Sequence, residues 1–105
     1  MKVVEEIKEI ARYIDEELGD SQKYAKKALC YKMEDSQLAQ MYFQLSTEEM
    51  EHMNRLHNQV VKLIKKAKEE EAKVADAVAI AYDMLHERLI EWSKEIKVMQ
   101  NMFRE

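Results

Sequence analysis

With no proline and a single glycine (Gly19) in 105 residues, this chain carries almost nothing that stops a helix. Its apolar residues recur in steps of three and four along the whole length, and no alternating strand pattern competes with them. The fold class is therefore all-α. Boundaries between helices must be read from charge and caps.

A first segment starts near Lys2, with Glu5 and Glu6 in its opening turns, and gathers Lys23, Lys26, Lys27 and Lys32 toward its end. Glu34-Asp35-Ser36 then reads as a new start, with Asp35 or Ser36 as N-cap. The second segment closes on Lys62, Lys65, Lys66 and Lys68, and Glu69-Glu70-Glu71 follows at once. Cations at one helix's C-terminus and acids at the next N-terminus both complement the helix dipole, which places turns near 33–35 and 68–71. The expectation is three long helices, about 2–32, 36–67 and 71–103, in one domain covering 1–105. The second and third stripes keep phase across the second turn, because a shift of 36 residues is about ten turns. One continuous helix from Ser36 to Phe103, roughly 100 Å long, satisfies the same periodicity. The charge reversal occurs twice, and that favours three helices.

In the first segment the apolar stripe is Val4, Ile7, Ala11, Ile14, Leu18, Ser21, Ala25 and Ala28. The second runs Leu38, Tyr42, Leu45, positions 49 and 52, Leu56, Val60, Leu63 and Ala67. The third runs Val74, Val78, Ala81, Leu85, Leu89, Trp92, Ile96, Met99 and Phe103. Such stripes mark helices packed along one face. Phe43 and Met50 lie off the second stripe, and Ala75, Ala79, Ile80 and Met84 off the third. This is more apolar surface than a lone three-helix bundle buries, and it points to a homodimer or higher homo-oligomer.

Composition excludes several function classes. The 17 Lys and Arg are outnumbered by 21 Asp and Glu, a formal net charge of −4, and form no basic patch for nucleic acid. The longest unbroken apolar run, Ala77 to Tyr82, is six residues, far short of a membrane span. The opening Met-Lys-Val-Val-Glu-Glu puts acids where a signal peptide needs an apolar stretch. One cysteine, Cys30, provides neither an intrachain disulfide framework nor a Cys-rich zinc site, and one glycine builds no glycine-rich phosphate loop. The expectation is a soluble, cytoplasmic helical protein with no nucleic-acid or membrane partner.

The informative polar residues are Glu49 and His52, which occupy the second stripe between Leu45 and Leu56. On a helical wheel both fall within roughly 40° of the stripe's centre. A buried carboxylate must protonate, pair or bind a cation. A metal ion satisfies both groups at once, since the i, i+3 spacing sets them on one helical face. The first segment offers a partner in a row seven residues apart: Ile10, Glu17, Tyr24 and Tyr31. Glu17 flanks the main stripe, and Tyr24, two turns on, carries a hydroxyl able to hydrogen-bond a buried carboxylate. The bland alternative is a Glu49–His52 core pair without metal, with Glu17 a solvated acid. His57 sits at the edge of the second segment with no evident role, and Cys30 is a free thiol with no base beside it.

Glu17 with Tyr24 seven residues later, and Glu49-Met50-Glu51-His52 read as Glu-x-x-His, make this sequence similar to the ferritin-like superfamily of ferritins and rubrerythrins. Gly19-Asp20-Ser21-Gln22 resembles the Gly-Glu-Ser-Gln of rubrerythrins, a register that would make Asp20 the ligand in place of Glu17. The likeness covers about residues 10–60. It implies a helical bundle holding two metal ions, iron or manganese with zinc as a redox-silent occupant, at Glu17, Glu49 and His52. The implied reactions are oxidation of ferrous iron or reduction of peroxide, with Tyr24 in support.

Such sites take a Glu from each of two helices and a Glu-x-x-His from each of two others, but this chain has only one clear copy. Either the third segment completes the site through Asp83 and His86, or two chains pair and contribute Glu17, Glu49 and His52 twice. The second route resembles small half-ferritins. Helical proteins of this look also occur in phage and prophage gene sets, where the alternative is a structural or adaptor protein with a ferritin-like fold and no active site.

Overall fold

A computed structural model describes residues 2–105. Three α-helices fill nearly all of it: α1 (Lys2–Tyr31), α2 (Ser36–Glu70) and α3 (Ala72–Arg104). The principal dimensions are 55 × 19 × 14 Å, the length of one such helix at about 1.5 Å per residue. The helices therefore lie side by side, and a continuous rod from Ser36 to Phe103 is ruled out.

Both turns fall where the charge reversals put them. After Tyr31 the backbone N–H groups of Glu34 and Asp35 donate to the Tyr31 carbonyl at 3.1 and 2.9 Å, closing α1. Asp35 then caps α2: its side chain accepts from the Leu38 N–H at 3.1 Å. The second reversal needs a single non-helical residue. Glu71, with φ −145° and ψ 86°, donates its N–H to the Ala67 carbonyl at 2.8 Å and accepts the Ala75 N–H at 3.0 Å. α2 extends to Glu70, three residues beyond the expected end.

A seven-residue repeat organises the core. Ile7, Ile14, Ser21 and Ala28 on α1, Ala39, Ser46, Met53, Val60 and Ala67 on α2, and Ala75, Tyr82, Leu89 and Ile96 on α3 are all buried. That spacing keeps each seam facing its neighbours along the length, as in coiled coils and helical bundles. α1 and α2 run antiparallel and approach closely, because Ser21, Ala25, Ala28, Ala39 and Ser46 present little bulk. Each serine hydroxyl reaches the opposite backbone carbonyl at 2.7 Å. α3 returns antiparallel to α2, with Phe43 stacked on Phe103 at 4.7 Å. It lies parallel to α1, with the Trp92 indole donating to Gln22 Oε1 at 3.2 Å. Among the described residues no helix is long and apolar enough to cross a membrane.

The stripe of α2 is rotated from its expected position. Ala39, Ser46, Met50, Met53, Val60 and Ala67 are buried, whereas Tyr42, Leu45, Glu49 and Leu56 are half-buried and His52 is exposed. The large side chains flank the α1–α2 contact, while small residues and flexible methionines form its line of closest approach. Met50, which sequence periodicity sets off the stripe, is 7% exposed.

Candidate metal centre

The rotation of α2 decides what kind of site this is. Glu17 on α1 and Glu49 and His52 on α2 meet at the lip of the α1–α2 seam. His52 Nδ1 lies 3.5 Å from Glu17 Oε2 and 3.7 Å from Glu49 Oε1. One ligand atom from each of the three lies within 4.8 Å of the others. The side chains are 26%, 19% and 48% exposed respectively, so the group is half-open to solvent on the imidazole side.

These contacts are too long to be hydrogen bonds. Glu17 Oε2 is buried and has no hydrogen-bond partner. His52 Nδ1 stands at ion-pair distance from this oxygen but makes no hydrogen bond to it, and a buried carboxylate oxygen without a hydrogen bond costs about 1–3 kcal/mol. The donor set, two carboxylates and an imidazole, suits iron, manganese or zinc. At 3.5 and 3.7 Å, either His52–carboxylate pair can sit about 2 Å on each side of one ion. Three protein ligands leave coordination positions open.

The structure separates the candidates on α1. Asp20, the alternative to Glu17, turns to Lys23 at 3.7 Å, is half-exposed and stays outside the group. Its neighbour Ser21 is buried and binds Ser46, so the Gly-Asp-Ser-Gln segment serves helix packing at this position. Tyr24 stacks on Tyr42 at 6.1 Å and leaves Glu17 Oε2 unpartnered. Tyr31 stacks on the other side of the same ring, also at 6.1 Å, so the three tyrosines continue the seam toward the α1–α2 turn.

Asp83 and His86 do not join Glu17, Glu49 and His52. Asp83 is exposed, and the His86 ring stacks on His57 with centroids 4.4 Å apart and planes 9° from parallel. The reason is geometric: α3 lies on the side of α2 that carries Met53 and His57, away from the lip where His52 emerges. Nor can His57 and His86 share a metal in this pose. Lone pairs lie in the ring planes, and stacked parallel rings direct them alongside each other without convergence.

The residue that sequence reasoning passed over is His57. Its Nδ1 lies 2.8 Å from the Tyr82 hydroxyl, and its ring forms a triangle with those of Tyr82 and His86, whose centroids lie 5.8 and 4.4 Å away. Burial, with the neighbouring charge of His86 second, holds its imidazole below the ordinary histidine range. Burial also pushes the Tyr82 hydroxyl up to about 12. Counting outward from the turn at Glu71 was the available signal: position 57 lies 14 residues before it, and Tyr82 and His86 bracket the matching position beyond it.

No protein-family model, curated protein or solved structure matches this chain.

Proposed function

We propose that this protein binds a redox-active divalent metal, iron or manganese, through Glu17, Glu49 and His52, and that a second copy of the chain completes the centre. The supporting observation is the unpartnered, buried Glu17 Oε2 aimed at a group of metal-compatible donors. A cation supplies the missing partner and gains three ligands at once. The seam that carries this group is half-open, and it presents Tyr24, Tyr31, Tyr42, Leu45 and Leu56 beside it. Two such seams face to face would form a four-helix arrangement with four carboxylates and two imidazoles, a ligand count suited to two ions.

Iron held by Glu17, Glu49 and His52 of two chains would supply the two electrons that, with two protons, reduce hydrogen peroxide to two waters. The protein's part is to hold the carboxylate and imidazole ligands, and a second chain over the half-open seam would limit water access. This ferritin-like reading rests on the donor group and on the Glu-x-x-His spacing.

A structural or adaptor role is the second reading, favoured by the exposed apolar side chains of α3. Ile80, Met84 and Val98 are 63%, 69% and 58% exposed. Elemental analysis of protein purified without added metal separates the two readings. Iron or manganese near one ion per chain, lost in both Glu49→Ala and His52→Ala, supports the metal centre. Wild-type protein that stays metal-free after anaerobic loading with ferrous iron leaves the adaptor reading.

A further inference from the structure

Between α2 and α3 the surface opens into a cavity of about 280 Å³ whose floor is Met50, Met53 and Leu89. Its polar rim is His57 and Asn54 from α2, and His86, Ser93, Lys94 and Lys97 from α3. Acids outnumber bases in this chain by 21 to 17, yet none of the lining residues is Asp or Glu. Every charged or potentially charged group on the rim is a cation or an imidazole.

We propose that this cavity binds a small organic anion, a carboxylate with an apolar chain of about eight carbons. Methionine and leucine at the floor match the chain, since flexible thioethers adapt to an irregular apolar guest. The Lys97 ammonium and the Asn54 amide are donors for the carboxylate. Lys97 makes no ion pair among the described residues. Lys94 is paired only with Glu91 at 3.3 Å, and both side chains are largely exposed, so that contact holds it weakly. The Tyr82 hydroxyl fixes the His57 ring through Nδ1 and leaves Nε2 as its free polar edge. The volume lies just below the usual range of ligand sites, which favours a small guest. The cavity shares no residue with Glu17, Glu49 and His52, so this proposal stands or falls apart from the metal centre.

The test is an amide chemical-shift titration of the full chain with sodium octanoate at pH 7, run in parallel with octylammonium. The proposal expects saturable shifts from octanoate centred on Met53, Asn54, His57, Ser93 and Lys97, and none there from octylammonium. It also expects roughly two- to fivefold weaker octanoate binding by Lys97→Gln, an exposed position whose loss leaves the spectrum of the fold intact. Absence of saturable shifts overturns the proposal. So does an equal response to the ammonium probe, or a response centred on Ile80 and Met84 or on the α1–α2 seam.

Discussion

Ser21 and Ser46 clamp α1 to α2 reciprocally: each hydroxyl donates to the other residue's backbone carbonyl at 2.7 Å. Gln100 of α3 donates to Ser46 Oγ at 2.9 Å, so all three helices meet at this point. The clamp also sets the register of the donor group. Glu17 lies one turn before Ser21, and Glu49 one turn after Ser46, so antiparallel pairing of the serines brings the two carboxylates together.

Removing the clamp should therefore cost both stability and metal binding. Ser46→Ala takes the hydroxyl from the Ser21 carbonyl and from the Gln100 amide in a fully buried setting, leaving only the Ser21 hydroxyl's bond to the residue 46 carbonyl, a loss of about 1–3 kcal/mol. Urea denaturation of the metal-free protein measures the first effect. Ferrous titration of the variant measures the second, as weaker binding with Glu17, Glu49 and His52 all intact.

Glu17 should show the opposite trade. Its buried oxygen lacks a hydrogen bond, which should destabilise the metal-free fold. Glu17→Met should raise metal-free stability by about 1 kcal/mol while abolishing metal binding, the exchange expected where a site is strained for function. Denaturation midpoints with and without ferrous iron test both halves. A variant that is less stable without metal would show that the carboxylate is a structural group.

Gly19 is a site for simple stabilisation. It sits inside α1, and a Cβ there would meet only Trp92 Cη2, at 3.8 Å, an ordinary contact. Gly19→Ala should gain roughly 0.5–1 kcal/mol from helix propensity, read as a higher denaturation midpoint with unchanged metal affinity.

The His57–Tyr82 pair predicts a stability plateau with two shoulders. The folded Tyr82 hydroxyl titrates at about 12, above the ordinary value of 10.0, so the unfolded chain loses this proton first. Stability should fall as pH rises from 10 toward 12. The His57 imidazole is held below 6.5, so the unfolded chain takes up this proton first. Stability should fall as pH drops through 6.5. Melting temperatures across pH should show the alkaline fall reduced in Tyr82→Phe and the acid fall reduced in His57→Gln, relative to wild type.

The helices and both turns were legible in the sequence, because charge reversals at 33–35 and 68–71 stand in for missing breakers. Glu17, Glu49 and His52 were legible as a group through their spacing. Their depth was not. Sequence periodicity weights large apolar residues, so it centred the α2 stripe on Leu38, Tyr42, Leu45 and Leu56. Packing instead selected Ala39 and Ser46, whose small size permits the Ser21–Ser46 clamp. Rotating α2 to that line moved His52 from the core to the lip and put Met50 inside. Whether His86 reaches the donor group was not legible for a related reason: the face that α3 presents depends on which side of α2 it docks, and one helix's pattern does not carry that information.

Native mass spectrometry of the chain loaded anaerobically with ferrous iron reads metal count and chain count in one species. A metal centre shared between two chains predicts a dimer carrying two iron ions, and loss of that iron in Glu49→Ala. A monomer holding its metal in full, or a protein that takes up no iron, would contradict it.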